Sequence, residues 1–139
     1  EHRLLRIEIN MPNITTVDNL QGETKGYNIA ASQTSGAPTY VLDGIAASDA
    51  SAKVNSLLIA NKDASTAADI DVCFYDSSAN SGSGLEYTFI SGLSIPVGAT
   101  LDVLASHIYL NNGDYLAVKT NSATAVTVLA SYERLETVN

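Results

Sequence analysis

Covalent or acid–base chemistry needs a nucleophile, a base or a metal-binding set, and this 139-residue chain supplies few of them. It has two histidines, His2 and His107, and a single cysteine, Cys73. Serine is plentiful, but an activated serine needs a base within hydrogen-bond reach. His2 sits at the terminus, and His107 falls between two strand-like stretches in Ala105-Ser106-His107-Ile108-Tyr109. Both read as structural or surface residues. Two isolated histidines and one cysteine make neither a zinc site nor a thiolate cluster, and no internal disulfide. Cys73 lies in Asp71-Val72-Cys73-Phe74-Tyr75, with no basic neighbour to activate its thiol, and is expected to be a small apolar strand residue.

The carboxylates fare no better. Asp69 and Asp71 are two apart and share one strand face, whereas glycosidic chemistry needs two carboxylates across a cleft in unlike environments. Asp76 to Gly82 loosely mimics the start of a calcium loop. The positions that should hold Gly and Glu are Ser81 and Tyr87, so a hairpin tip is expected. There is no phosphate-cradling glycine loop and no dinucleotide fingerprint. The expectation is a non-enzyme without cofactor, metal or small-molecule substrate. Tyrosines are the remaining distinctive side chains: of seven, Tyr75 and Tyr115 fall on the outward side of their strands. Tyrosine offers broad contact area with a polar tip, so this pair marks either an interface or the edge of a sandwich.

Composition narrows the function classes further. Hydrophobic residues make up 45% of the chain, enough for a core, while charged residues are only 16%, against roughly 25% in typical soluble domains. Low charge fits a domain that hides surface in an assembly; it also fits a monomer coated with Ser, Thr and Asn. Net charge is −8, and the basic residues outside Arg3 to Arg6 are scattered. No patch can neutralise phosphates, so neither nucleic acid nor an anionic membrane is an expected partner. No apolar run approaches the ~20 residues that span a bilayer. The chain opens on Glu1 rather than Met, which leads to the expectation that something precedes it: a cleaved propeptide, a cleaved secretion signal or a disordered start.

What must position these side chains is a series of short strands. Residues 1–53 read as an N-terminal arm followed by irregular strands and loops. Leu5, Ile7 and Ile9 alternate with Arg6, Glu8 and Asn10, a clear strand signal. Gln21-Gly22-Glu23 reads as a turn, 27–31 and 39–42 as short strands, and 45–53 as loop or one helical turn. From Val54 to the end the pattern is regular. Ile70, Val72 and Phe74 oppose Asp71, Cys73 and Tyr75; Leu85, Tyr87 and Phe89 alternate with Glu86 and Thr88. Leu101 and Val103 form the next short strand, and Val126, Val128, Ala130 and Tyr132 line one face of the last one. Pro96-Val97-Gly98 and Asn111-Asn112-Gly113-Asp114 are turns, the second because Asn and Gly tolerate positive φ. Turns every 8–12 residues without a convincing helix predict an all-β fold: an antiparallel, jelly-roll-like β-sandwich body over 54–139 with an extended N-terminal arm.

The runs Val54 to Asn61, Ile70-Asp71-Val72, Ile95 to Leu101, Leu110 to Lys119 and Ser131-Tyr132-Glu133 resemble small β-sandwich structural proteins of tailed bacteriophages. The resemblance spans 54–135 and rests on a Leu-Leu-x-Ala-Asn strand, a Pro-x-Gly-x-Thr-Leu turn and a Gly-Asp turn. It implies a virion component, foremost an oligomeric capsid decoration protein, trimeric or otherwise, touching copies of itself and the major capsid protein; a neck or tail part is the variant. The rival expectation is an extracellular filament subunit that donates its N-terminal strand to a neighbour. A carbohydrate-binding sandwich using Tyr75 or Tyr115 is a third class, weakened by the absence of Trp. Candidate interface residues are Arg3, Leu5, Arg6, Ile7, Ile9, Tyr75 and Tyr115.

Overall fold

The computed structural model describes residues 17–29, 39–44, 50–120 and 125–137. Two antiparallel sheets pack face to face. The first contains β1 (Val17–Ile29), β9 (Val126–Thr137), β3 (Ala50–Asn61) and, end to end along the outer side of β3, β6 (Thr100–Asp102) and β7 (Ile108–Leu110). The second runs β2 (Thr39–Val41), β8 (Tyr115–Thr120), β4 (Ala68–Asp76), β5 (Leu85–Ile95). The protein is therefore an antiparallel β-sandwich, as the strand spacing predicts. β3 runs through the point, 53/54, at which the two sequence textures meet, and β1 and β2 take places in the two sheets.

The period-two pattern becomes the core. Val126, Val128, Ala130 and Tyr132 of β9, Val54, Leu57 and Ile59 of β3, and Ile70 and Val72 of β4 are all buried against one another. Each fully buried aliphatic side chain contributes roughly 1.5–3 kcal/mol. The register of β3 slips between Val54 and Ser56, a bulge at Asn55 that keeps Val54 and Leu57 facing inward although they are three apart.

Three expectations change. Gln21-Gly22-Glu23 is not a turn but the middle of β1, which pairs with β9 from Asn19 to Ile29 without interruption. Tertiary pairing overrides the local Gly and polar signal. Residues 50–53 extend β3 rather than forming loop or helix, because Ala52 is drawn into the core opposite Leu110 and Arg134. Val103 lies just past β6, its N–H donating to the Leu57 carbonyl instead of continuing a ladder. Residues 45–49 lie outside the described residues.

Buried polar side chains fasten the ends. Asn61 closes β3: its Nδ2 donates to the carbonyls of Thr66 and Ile95, and its Oδ1 accepts from Asp63 N. Asp114, 5% exposed, accepts from Ser77 N and Ser77 Oγ through Oδ1 and from Asn111 N through Oδ2. It ties the β7–β8 turn to the start of the β4–β5 hairpin. Gly113 makes that turn possible: its φ is +87°, and a Cβ there would lie 2.9 Å from the Ser77 side chain.

Tyr132 lies across the inner face and donates to the Glu23 carboxylate from β1. Burial, with that hydrogen bond, pushes its phenol well above the ordinary tyrosine value. A raised folded pKa means the stabilisation is fully present below about pH 10, the unfolded value, and is lost as pH rises toward the folded value. Ultraviolet titration should show one tyrosine that ionises only as the fold is lost, and Tyr132→Phe should remove that step.

Candidate functional site

The outward face of β4 and β8 holds the residues singled out by type. Tyr75 and Tyr115 sit opposite each other and stack, ring centroids 4.5 Å apart at 11°. The pair is half-buried, and Tyr75 Oη donates to the Ser83 carbonyl. Tyr75 also fixes the hairpin: Gly84 has φ +83°, and a Cβ there would lie 1.8 Å from the phenol oxygen. Stacking spends one face of each ring on its partner, which leaves a poor platform for a sugar ring. Below the pair, Asp71 accepts from Gly92 N at a β5 bulge, and Lys119 forms an ion pair with Glu86 at 2.9 Å. That hydrogen bond to Glu86 raises the Lys119 pKa. Cys73, on the same outward side, is fully buried with Sγ 3.3 Å from Thr88 Oγ1.

The supposed calcium loop is the β4–β5 hairpin tip. Asp76 accepts from Ser78 N and Oγ, hydrogen bonds that hold its carboxyl below the usual range, and Asn80–Gly82 form one 3-10 turn. Asp63 is held low in the same way by Ser65 and Thr66. His107 is exposed between β6 and β7 and meets Tyr109 edge-on at 5.1 Å. Among the described residues, no group of three His, Cys, Asp or Glu side chains could hold a metal ion, and no helix is long and apolar enough to cross a membrane.

The surface that stands out is one the sequence did not mark. β5 is an edge strand eleven residues long, and no described strand pairs with its outer side. Register places Tyr87 opposite Phe74, on the side facing the core, yet Tyr87 is 48% exposed, Leu85 44% and Phe89 43%. Phe89 meets water beside a gap in the facing sheet, where β6 and β7 have three residues each with five residues between them; Leu85 and Tyr87 lie further along the same edge. The gap is a cavity of about 320 Å³ between Phe89 and Ile90 on one side and Val103 to Ile108 on the other. The opposite side of the sandwich is closed by comparison, since Leu42 N of the β2 end donates to Tyr27 Oη of β1.

The two edge strands also differ in chemistry. Natural edges are blunted by charge, proline or shortness. β1 carries Glu23 and Lys25 among its exposed and half-exposed residues. β5 carries only Glu86, already paired with Lys119, and has no Lys, Arg or Pro. Its one protective device is a pair of bulges opposite Ile70 to Cys73, which leave Leu85 to Thr88 as a regular four-residue ladder with β4. Alternation in a sequence shows which side chains share a face; it does not show whether the strand has a second neighbour, so this edge was not legible. Arg3, Leu5, Arg6, Ile7 and Ile9 lie outside the described residues.

Fold and site together define a two-sheet antiparallel β-sandwich with one side that the described residues leave open. No family model and no curated protein matches the sequence. Among solved structures, the chain is similar to one from the Bacillus endospore appendages, disulfide-linked pili, at 10% identity and a TM-score of 0.49, covering 96% of this chain and 99% of that one. It is also similar to the CBM22-1 xylan-binding domain of Paenibacillus barcinonensis Xyn10C, at 11% identity and a TM-score of 0.48, covering 88% and 85%. A third likeness, to the CBM22-1–GH10 modules of Clostridium thermocellum Xyn10B, has 6% identity and a TM-score of 0.43; it covers 90% of this chain and 27% of that one.

Proposed function

We propose that this chain is a non-enzymatic building subunit that polymerises into an extracellular filament by lending its N-terminal strand to a neighbour. The observation that carries this reading is the β5 edge: eleven residues, unpaired on its outer side among the described strands, with core-side Leu85, Tyr87 and Phe89 left more than 40% exposed. A long edge whose single charge, Glu86, is already paired is a template for another strand. The segment Leu4 to Ile9 has the matching pattern, with Leu5, Ile7 and Ile9 on one side and Arg6 and Glu8 on the other. Added main-chain hydrogen bonds supply affinity, and three apolar side chains leaving water add roughly 1.5–3 kcal/mol each before the cost of association.

Charge supports an arm-mediated contact. Residues 1–16 hold two basic and two acidic residues, so the rest of the chain carries the whole net charge of −8. Two such bodies repel each other, whereas a neutral arm does not. A second reading is capsid decoration, favoured by the turn motifs at 95–101 and 110–119 that resemble those of virion sandwich proteins. The test is deletion of residues 1–13 followed by electron microscopy and light scattering. The filament reading predicts fibres from the full chain alone and monomers from the truncated one. Fibres that persist after truncation would sink it; particles that form only when a capsid shell is supplied would favour decoration.

A further inference from the structure

We infer that the gap between β5 and the β6–β7 connection is the acceptor slot for Leu5, Ile7 and Ile9 of a second copy, joined head to tail. This rests on the strand-donation reading and adds to it the place of insertion and the polarity of the assembly.

The slot has what an inserted strand needs. Its walls are mostly apolar: Phe89 and Ile90 on β5 face Val103, Leu104 and Ile108 on the other sheet's edge, with Ser106 and His107 of the β6–β7 connection adding a polar rim. Leu104 is buried at its base, and Ile90, Val103 and Ile108 are half-buried against the core. A strand laid along Leu85 to Thr88 would extend the ladder up to Phe89, where the slot begins, and carry its core-side side chains toward the slot. Its length is bounded by the bulges beyond Thr88, which interrupt pairing with β4, and Leu4 to Ile9 has six residues. A donated strand thus closes the sandwich where the short β6 and β7 leave it open.

The start of β1 and the acceptor slot lie at opposite edges of the five-stranded sheet. The arm leads into Val17 at the start of β1, and β1 and β6–β7 are the two outer edges of the same sheet, with β9 and β3 between them. Three strand spacings, about 14 Å, separate those edges. In each copy the arm is attached at one edge and the slot lies at the other, so donation to a second copy is a heterologous contact that propagates rather than closing on a two-fold axis. An acidic body on both sides of the junction leaves the neutral arm, with Arg3 and Arg6, as the segment that can cross it.

Cysteine trapping tests this on the full chain. In a Cys73→Ala background, chains carrying Ile7→Cys are mixed with chains carrying Phe89→Cys and oxidised; Val103→Cys serves as a second acceptor in case Phe89→Cys perturbs the edge. The expected result is a covalent dimer in the mixture, at least tenfold above an Ile7→Cys plus Lys53→Cys control on the outer face of the five-stranded sheet. A chain carrying both Ile7→Cys and Phe89→Cys should give a ladder of covalent multimers. A covalently closed monomer would mean that the arm fills its own slot, and would overturn the inference. Fibres without cross-links at either acceptor would also overturn it while leaving strand donation standing at another edge. Absence of any assembly in the unsubstituted chain would instead bring down the underlying reading.

Discussion

Replacing Leu85 and Tyr87 together by lysine is expected to abolish self-assembly while leaving the fold intact. Both side chains are more than 40% exposed on an edge strand, so their loss from the folded monomer should cost no more than about 0.5 kcal/mol each, in the range of ordinary surface changes. In the assembled state the same positions are buried under the incoming strand. Losing two apolar contacts of roughly 1.5–3 kcal/mol each lowers the association constant on the order of a thousandfold. Lysine on an edge adds an ammonium that an incoming strand must desolvate, a device natural sheets use against edge pairing. Ser94→Lys, on the same strand beyond the bulges and facing outward, should leave both stability and assembly unchanged. Thermal melts and sedimentation velocity on the three proteins separate the effects. Equal loss of stability and assembly in the double variant would show that β5 is needed for the fold rather than for contact.

Asp114→Ala should be the most damaging single substitution in the turns. The carboxylate is buried and accepts three hydrogen bonds, two from Ser77 and one from Asn111 N. Removing it strands two backbone N–H groups, those of Ser77 and Asn111, while the Ser77 hydroxyl keeps the Asn112 carbonyl as an acceptor. A lost hydrogen bond to a charged group costs roughly 1.5–3 kcal/mol, and the three share one acceptor, so a total loss of about 3 kcal/mol is expected rather than the sum. For a chain of this size that lowers the melting temperature on the order of 10 °C. Asp114→Asn keeps the acceptor toward Ser77 but turns an amide N–H toward Asn111 N or leaves that donor unmet, so it should recover part of the loss. Chemical denaturation of the three proteins measures this; equal stability of Asp114→Ala and the parent would show that water replaces the carboxylate.

These two sites show what a linear pattern can and cannot carry. The Asn111–Asp114 turn was legible because positive φ at Gly113 is a local demand that only certain residues meet. The core faces of β4 and β9 were legible because alternation is local too. Asn61 was visible only as the end of an apolar strand; its task of pinning the 62–67 loop to Ile95 depends on a residue 34 positions away. β1 was hidden for the opposite reason. Gly22 and Gly26 weaken its own strand signal, and Leu129 of β9 fills the space over Gly26, 3.1 Å from where a Cβ would stand. The β5 edge was the least legible of all. Its residues read as a normal half-buried strand, and the gap beside Phe89 follows from the shortness of β6 and β7, on the other sheet. Tyr75 and Tyr115 were placed on the correct side, but their stacking on each other follows from the β4–β8 register, which no spacing reveals.

Strand addition at β5 leaves a direct mark on backbone amides. Hydrogen exchange of the peptide covering Leu85 to Ile95, followed by mass spectrometry at concentrations below and above the onset of assembly, reads it without any substitution. The predicted result is fast exchange of the outward-facing β5 amides in the monomer and protection confined to Leu85–Phe89 in the assembly, alongside new protection in residues 4–9. Unchanged exchange across β5 with protection appearing along β1 instead would contradict it.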